Sequence, residues 1–296
     1  MWENKVMTFR ITHRTTYRYS EPVTVSQHAS RMAPRCTPHQ QARDFKLQIK
    51  PVPSLQSTRR DYFGNSVCVF SVQGLHKELD VTATSTVETK AQPKLDLAKS
   101  PTFGVVRGMF LDPVSPDLCE AYQFVFDSPQ VRCHPDYAAY AQASFAADKP
   151  MLEGVRDLTH RIHEDFKFDP TATTVATPLD EVWAKRHGVC QDFAHMAIAC
   201  LRSIGLPASY VSGYLRTVPP PGKPRLVGAD QSHAWFSVYC PTVGWVDFDP
   251  TNDCLVGEDH PVVAIGRDYS DVSPLVGILT GGGEHQVIVG VDVEPI

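Results

Sequence analysis

The chain has no run of about 20 apolar residues of the kind that spans a bilayer as a helix, no basic stretch or basic helix face, and no C-x-x-C or H-x-x-x-H spacing. These absences argue against a membrane-spanning helix, against nucleic acid or anionic membrane as partners, and against a dedicated zinc site. The opening "MWENKVMTFRITHRTTYRYS" lacks the basic n-region and unbroken apolar core of a signal peptide, so the chain reads as cytoplasmic. Internal repeats are missing too, and low complexity is confined to "PPPGKP". A net charge of −5 and a charged fraction of 21% leave an ordinary, slightly acidic folded protein. Eight cysteines are scattered over 296 residues without an export signal, which favours reduced thiols over a disulfide framework.

Periodicity supplies the architecture. Residues from about 7 to 90 are rich in Thr, Val, Ser, Tyr and Phe and alternate in stretches such as "VCVFSV" and "VTATSTVET", which predicts an all-β first half. Alternation lapses from "KAQPKLDLAKSPTFG" to "DPVSPD", the composition of a connection, so the boundary is placed near residue 118: residues 1–118 form a β-rich domain plus linker and 119–296 a second domain. The second half begins with helices. "HPDYAAYAQASFA" and "MLEGVRDLTHRIHEDF" have helical spacing, the latter with Leu152, Val155, Leu158, Ile162 and Phe166 in one stripe. In "TPLDEVWAKRHG", Thr177 suits an N-cap, Pro178 the first helical position, Asp180 the capping-box position and Gly188 the stop. Strand-like "ASYVSGYL", "SHAWFSVYC" and "GWVDFD" follow, then "PVVAI" and "HQVIVGVDV" in the tail. The expectation is an α+β fold, with helices packed on an antiparallel sheet after an all-β N-terminal domain.

"GVCQDFAHMAIACLRSIGL" places Cys190 at the first turn of a buried helix, where unpaired backbone N–H groups and the positive dipole end favour a negative charge. Cys200, inside that helix, and the other six cysteines read as structural. A nucleophilic thiol needs a base, and the base needs an orienting acceptor. "SHAWFSVYCPTVGWVDFDPTN" offers both: His233, Trp235, Ser237 and Tyr239 share one strand face, Trp245, Asp247 and Asp249 share a face of the next, and His233 and Asp249 fall opposite one another within the register error of the loop.

In these residues the chain resembles the transglutaminase-like superfamily of cysteine enzymes, in its bacterial two-domain branch often assigned as cysteine proteases. The resemblance lies in "GVCQDFAHMAIACLRSIGLPASYVSGYL" and "SHAWFSVYCPTVGWVDFDPTN", in the order Cys, His, Asp, and extends to "DYFGNSVCVFSVQGLHKELDVTATSTVE" of the first half. It implies a papain-like, transglutaminase-like core with Cys190 as nucleophile, His233 as general base and Asp249 as orienting acid, with Asp247 a nearby rival for the last role. It also implies acyl transfer from an amide through a thioester. Water as acceptor gives hydrolysis of a peptide, protein or small amide, the favoured reading; a primary amine gives transamidation. No metal or organic cofactor is called for, and the oligomeric state is not legible.

The remaining polar residues carry alternatives. Gln191 either lines the cleft or is solvated. Asp192 and His195 either support the site from behind or serve as dipole partner and hydrogen-bonded core residue, the core role being favoured for His195. Tyr210 and Tyr214 share a strand face and either border the cleft or pack the sheet. "RTVPPPGKPRLVGADQ" is a loop placed to shape access. His160 and His163 read as a solvated helix surface. A zinc site from His187, Cys190, Asp192 and His195 has poor spacing. A non-catalytic scaffold that binds a peptide or glycan is the third class considered.

Overall fold

The alternating first half forms long strands. The computed structural model describes residues 6–92, 94–217 and 231–296. Strands β1 (Val6–Ser30), β2 (Gln40–Lys50), β3 (Leu55–Arg60) and β4 (Ser66–Lys90) make the first sheet, with β1 and β4 running antiparallel over most of their lengths. Two short helices follow, α1 (Phe103–Met109) and α2 (Pro116–Tyr122), then α3 (Pro135–Gln142) and α4 (Met151–Asp165). A bridge between β5 (Lys167–Phe168) and β6 (His187–Gly188) brackets α5 (Leu179–Lys185) and leads directly into α6 (Cys190–Ser203). The chain then forms β7 (Ala208–Leu215), β8 (Gln231–Cys240), β9 (Gly244–Asp249), β10 (Cys254–Leu255) and β11 (Val262–Gly266). Helix α7 (Tyr269–Val272) precedes β12 (Leu275–Gly281) and β13 (His285–Pro295). The second sheet is antiparallel in the order β10-β9-β8-β7-β11.

Helix α6 is buried from Gln191 to Arg202 because it is apolar nearly all round. It packs on β7 and β8, where Ala234, Phe236, Val238 and Cys240 face it in the main core. The predicted stripe of α4 is buried in the same core, with Phe166 just beyond the helix end. The far end of α6 is pinned by Arg202: the buried guanidinium donates to the carbonyls of Ala208, Phe126 and Arg267. With both faces of the second sheet covered and its central helix anchored at one end, the other end of α6 is held in place.

Three expectations need revision. The tail does not stay with the second half: β12 and β13 both pair antiparallel with β1, so residues 275–295 belong to the first sheet. The segment read as connection contains α1, whose Phe103 and Val106 join the main core, along with Phe110. Helix α5 starts after Pro178 as N-cap and ends at Lys185, with Arg186 at φ 55°, because Arg186 stacks on Trp183 at 3.6 Å and His187–Gly188 are taken by the bridge to β5. Phe9, Ile11, Val87, Val291 and Val293 of the first sheet enter the main core, while Val23, Phe70, Leu79 and Val81 form a second core in its curl. Among the described residues no helix is long and apolar enough to cross a membrane.

Candidate active site

The turn before α6 is built to present one side chain. Val189 is extended, and its N–H donates to Asp192 Oδ2 at 2.8 Å; Thr173 Oγ1 donates to the same oxygen at 2.6 Å. A Cβ on Gly188 would collide with this carboxylate, so the turn requires glycine there. Burial pushes the Asp192 carboxyl above its usual range, partly offset by those two hydrogen bonds. Gln191 is buried, and its amide donates to the Val175 carbonyl at 3.3 Å. These neighbours fix the helix start and leave Cys190 half-buried, with its thiol as a hydrogen-bond neighbour of His233.

His233 lies on β8 opposite Gly213 of β7 and is 8% exposed. A side chain at Gly213 would run into the Trp235 ring, so glycine makes room for the indole, whose centroid lies 6.1 Å from that of the imidazole at a tilt of 39°. His233 Nε2 is 2.7 Å from Asp249 Oδ2, so the carboxylate engages one of the two ring nitrogens. The β8–β9 ladder runs Phe236↔Phe248 and Ser237↔Asp247, so His233 and Asp249 are diagonal neighbours and not directly opposed. They meet because Asp249 continues past the end of that ladder, where it pairs with Cys254 of β10.

Asp249 is fully buried and its carboxylate is saturated with donors. Oδ1 accepts from the N–H groups of Thr251 and Asn252 at 2.9 and 3.2 Å. Oδ2 accepts from His233, from Asn252 Nδ2 at 2.6 Å and from His260, whose Nε2 is 3.3 Å away. Burial alone would raise its pKa; the bonds from His233, His260 and Asn252 overcome that and hold it well below the usual carboxylate range. Sequence reasoning missed Asn252 and His260. Asn252 closes the "DPTN" turn, a usable signal, whereas His260 arrives from a loop with no periodicity to betray it. The expected solvated pair on α4 also acts here, since His160 meets Asp253 at 2.8 Å and His163 the Thr251 carbonyl at 3.0 Å, tying this turn to the helix.

The other singled-out residues are placed as follows. Asp247 accepts from Trp235 Nε1 at 3.2 Å and lines a cleft of about 970 Å³ between the two sheets. Ser237, Trp245 and Phe63 line that cleft, which reaches Asp249 through His260. Tyr210 is buried and contacts His195 with ring centroids 5.0 Å apart. His195 is pushed down to about 4 by burial and accepts from the Tyr269 N–H at 3.1 Å. Tyr214 is held by His13 of the first sheet at 3.0 Å. His187 bonds its own helix end at the Lys185 carbonyl, so His187, Cys190, Asp192 and His195 are engaged separately. Residues 218–230 of the expected access loop lie outside the described residues.

Burial would lower the His233 pKa, but the Asp249 hydrogen bond and then the Cys190 thiol push it up to about 10. Linkage follows: this imidazolium contributes stability that is fully present below pH ~6.5, its unfolded value, and is lost as pH rises towards 10. Histidine-selective NMR is expected to find one buried imidazole titrating near 10 in the folded protein, and a lower value for it in Cys190→Ala. An ordinary value for His233 in both proteins would refute the pairing.

Residues 9–88 match the family model described as the bacterial transglutaminase-like N-terminal region, and residues 138–250 match that of the transglutaminase-like superfamily. An uncharacterized protein of Mycobacterium tuberculosis is 41% identical over 292 residues, 97% of this chain and 92% of its own. A protein-glutamine gamma-glutamyltransferase of Pseudomonas aeruginosa is 35% identical over 92 residues, 30% of this chain and 14% of its own. A crystal structure from Cytophaga hutchinsonii, provisionally named a cysteine protease, shares the fold with a TM-score of 0.78 at 21% identity, covering 99% of this chain and 91% of that one.

Proposed function

The chain belongs to the transglutaminase-like superfamily, and from that premise we propose that it is a cysteine-dependent acyl-transfer enzyme that acts on amide bonds, with water as the acceptor. One observation carries the reading: a buried imidazole sits between a thiol at a helix start and a carboxylate 2.7 Å away. That is the arrangement a proton shuttle needs.

In the proposed reaction the Cys190 sulfur, as thiolate beside imidazolium, attacks the amide carbonyl and forms a C–S bond. The negative charge that develops on oxygen is met by backbone N–H groups at the start of α6, the Cys190 N–H first among them. His233 gives its proton to the leaving nitrogen as the C–N bond breaks, and a thioester remains on Cys190. His233 then takes a proton from water, the hydroxide attacks, the C–S bond breaks and the acid departs. Asp249 stays ionised throughout and stabilises the imidazolium. A peptide or protein is the proposed substrate class. All eight thiols are unpaired, which supports a reducing compartment such as the cytoplasm.

Transamidation is the second reading, favoured by the name of the Pseudomonas aeruginosa relative. The two differ only in what attacks the thioester, so one measurement separates them. Mass spectrometry of peptide libraries incubated with enzyme, with and without a primary amine, is expected to show cleavage products that do not depend on the amine. Amine adducts without cleavage would replace hydrolysis by transamidation. No Cys190-dependent mass change would leave the non-catalytic scaffold.

A further inference from the structure

We infer that His260 is a positioning residue of the proposed active site, a hydrogen-bonding clamp that fixes the Asp249 carboxylate so that Oδ2 faces His233. The inference rests on the acyl-transfer reading above and adds to it a fourth side chain that touches none of the reacting atoms.

His260 lies in the loop between β10 and β11 and is 8% exposed. Its backbone N–H donates to the Gly257 carbonyl at 3.1 Å, closing a tight turn. The Gly257 N–H in return donates to His260 Nδ1 at 3.4 Å. Nδ1 is therefore the acceptor nitrogen, and Nε2 carries the proton of the neutral ring. That proton points at Asp249 Oδ2, 3.3 Å away. The ring cannot drift, because its edge packs against Trp235 with centroids 5.5 Å apart at 85°, and the indole is itself tied to Asp247.

Ligand atoms of His233, Asp249 and His260 lie within 4.8 Å of one another, a spacing that metal sites share. The donor chemistry argues for a clamp instead: Asp249 Oδ2 faces the Asn252 amide and the N–H of each imidazole, and an amide N–H would confront a cation there. The groups that face His233 are Cys190 from α6, Asp249 from β9, and Asn252 and His260 from the following loops; Asp247 of β9 faces His260 through the cleft. Three donors share one oxygen, so removing His260 leaves that oxygen more basic towards His233 and freer to swing.

Two variants test this. His260→Phe keeps the ring and removes the N–H; His260→Gln keeps an N–H donor. His260→Phe is expected to lower kcat about tenfold or more with little change in KM and to move the His233 titration to higher pH. His260→Gln is expected to stay within about threefold in kcat and to leave that titration in place. If the titration is unmoved in His260→Phe, or moves as far in His260→Gln, His260 is a packing residue and the inference falls. The NMR titration requires no turnover, so the outcomes separate: a wild type without Cys190-dependent activity refutes the acyl-transfer reading, whereas an active enzyme with an unmoved titration refutes the role of His260 alone.

Discussion

Cys190→Ala is expected to lower amide turnover by about 10⁴-fold or more, since removal of a nucleophile from a set that acts as a unit costs nearly as much as removal of the whole set. Stability should change little. Cys190 is only half-buried, its sulfur is the single atom lost, and the capping of α6 runs through Asp192, Thr173 and Val189. A shift within about 1 kcal/mol, typical of substitutions that open no core cavity, is the expectation. Turnover assays beside urea unfolding check both halves. A variant that retains a tenth of wild-type turnover would remove Cys190 from the mechanism, whatever its stability.

Asp249→Asn is expected to cost about 10⁴-fold in kcat, because a neutral amide neither stabilises the imidazolium nor selects the tautomer that frees the other nitrogen for sulfur. Unlike the cysteine change, it should also destabilise the fold. The carboxylate accepts hydrogen bonds from two backbone N–H groups, the Asn252 amide and two imidazoles, and an amide in its place turns one acceptor oxygen into a donor that faces donors. A loss of about 3 kcal/mol is the scale for breaking such a buried charged network. Its pH signature has a definite sign. The depressed Asp249 pKa contributes stability above pH ~3.8, the unfolded value, that is lost as pH falls, so the variant should lose part of the acid-side dependence. Asp247→Asn is the control: its carboxylate meets Trp235 and the cleft. If that variant suffers the larger loss in kcat, the two aspartates exchange roles.

Local signals carried much of this arrangement in the sequence, and the failures share one cause. Two-residue alternation identified strands in the first half, and a helical stripe identified α4, because each pattern reports which face is buried. Alternation does not name a strand's partner. "HQVIVGVDV" reads as a strand wherever it lies, and only the three-dimensional path shows it beside β1, with Thr16↔Ile288 and Ile11↔Val293 in register. The same limit set the offset between His233 and Asp249, since a loop of unknown shape hides a shift of two residues. Helix α1 escaped notice because seven residues flanked by prolines offer too few turns for a periodic signal. The Cys, His and Asp were legible because a helix start and two adjacent strands place them. Asn252 and His260 were not, because turn and loop residues gain their partners only from the packing of distant segments.

The return of β12 and β13 to β1 gives the molecule a particular order of assembly on the ribosome. Strand β1 must wait, with its edge away from β4 open, while the helices and strands between β4 and β12 are translated; only residues 275–295 close it. The region bearing Cys190, His233 and Asp249 is thus spliced into an interrupted sheet, and a nascent chain released before residue 275 would expose a long unpaired strand edge that invites association with other chains. Translation of residues 275–295, more than formation of the second half, closes that edge.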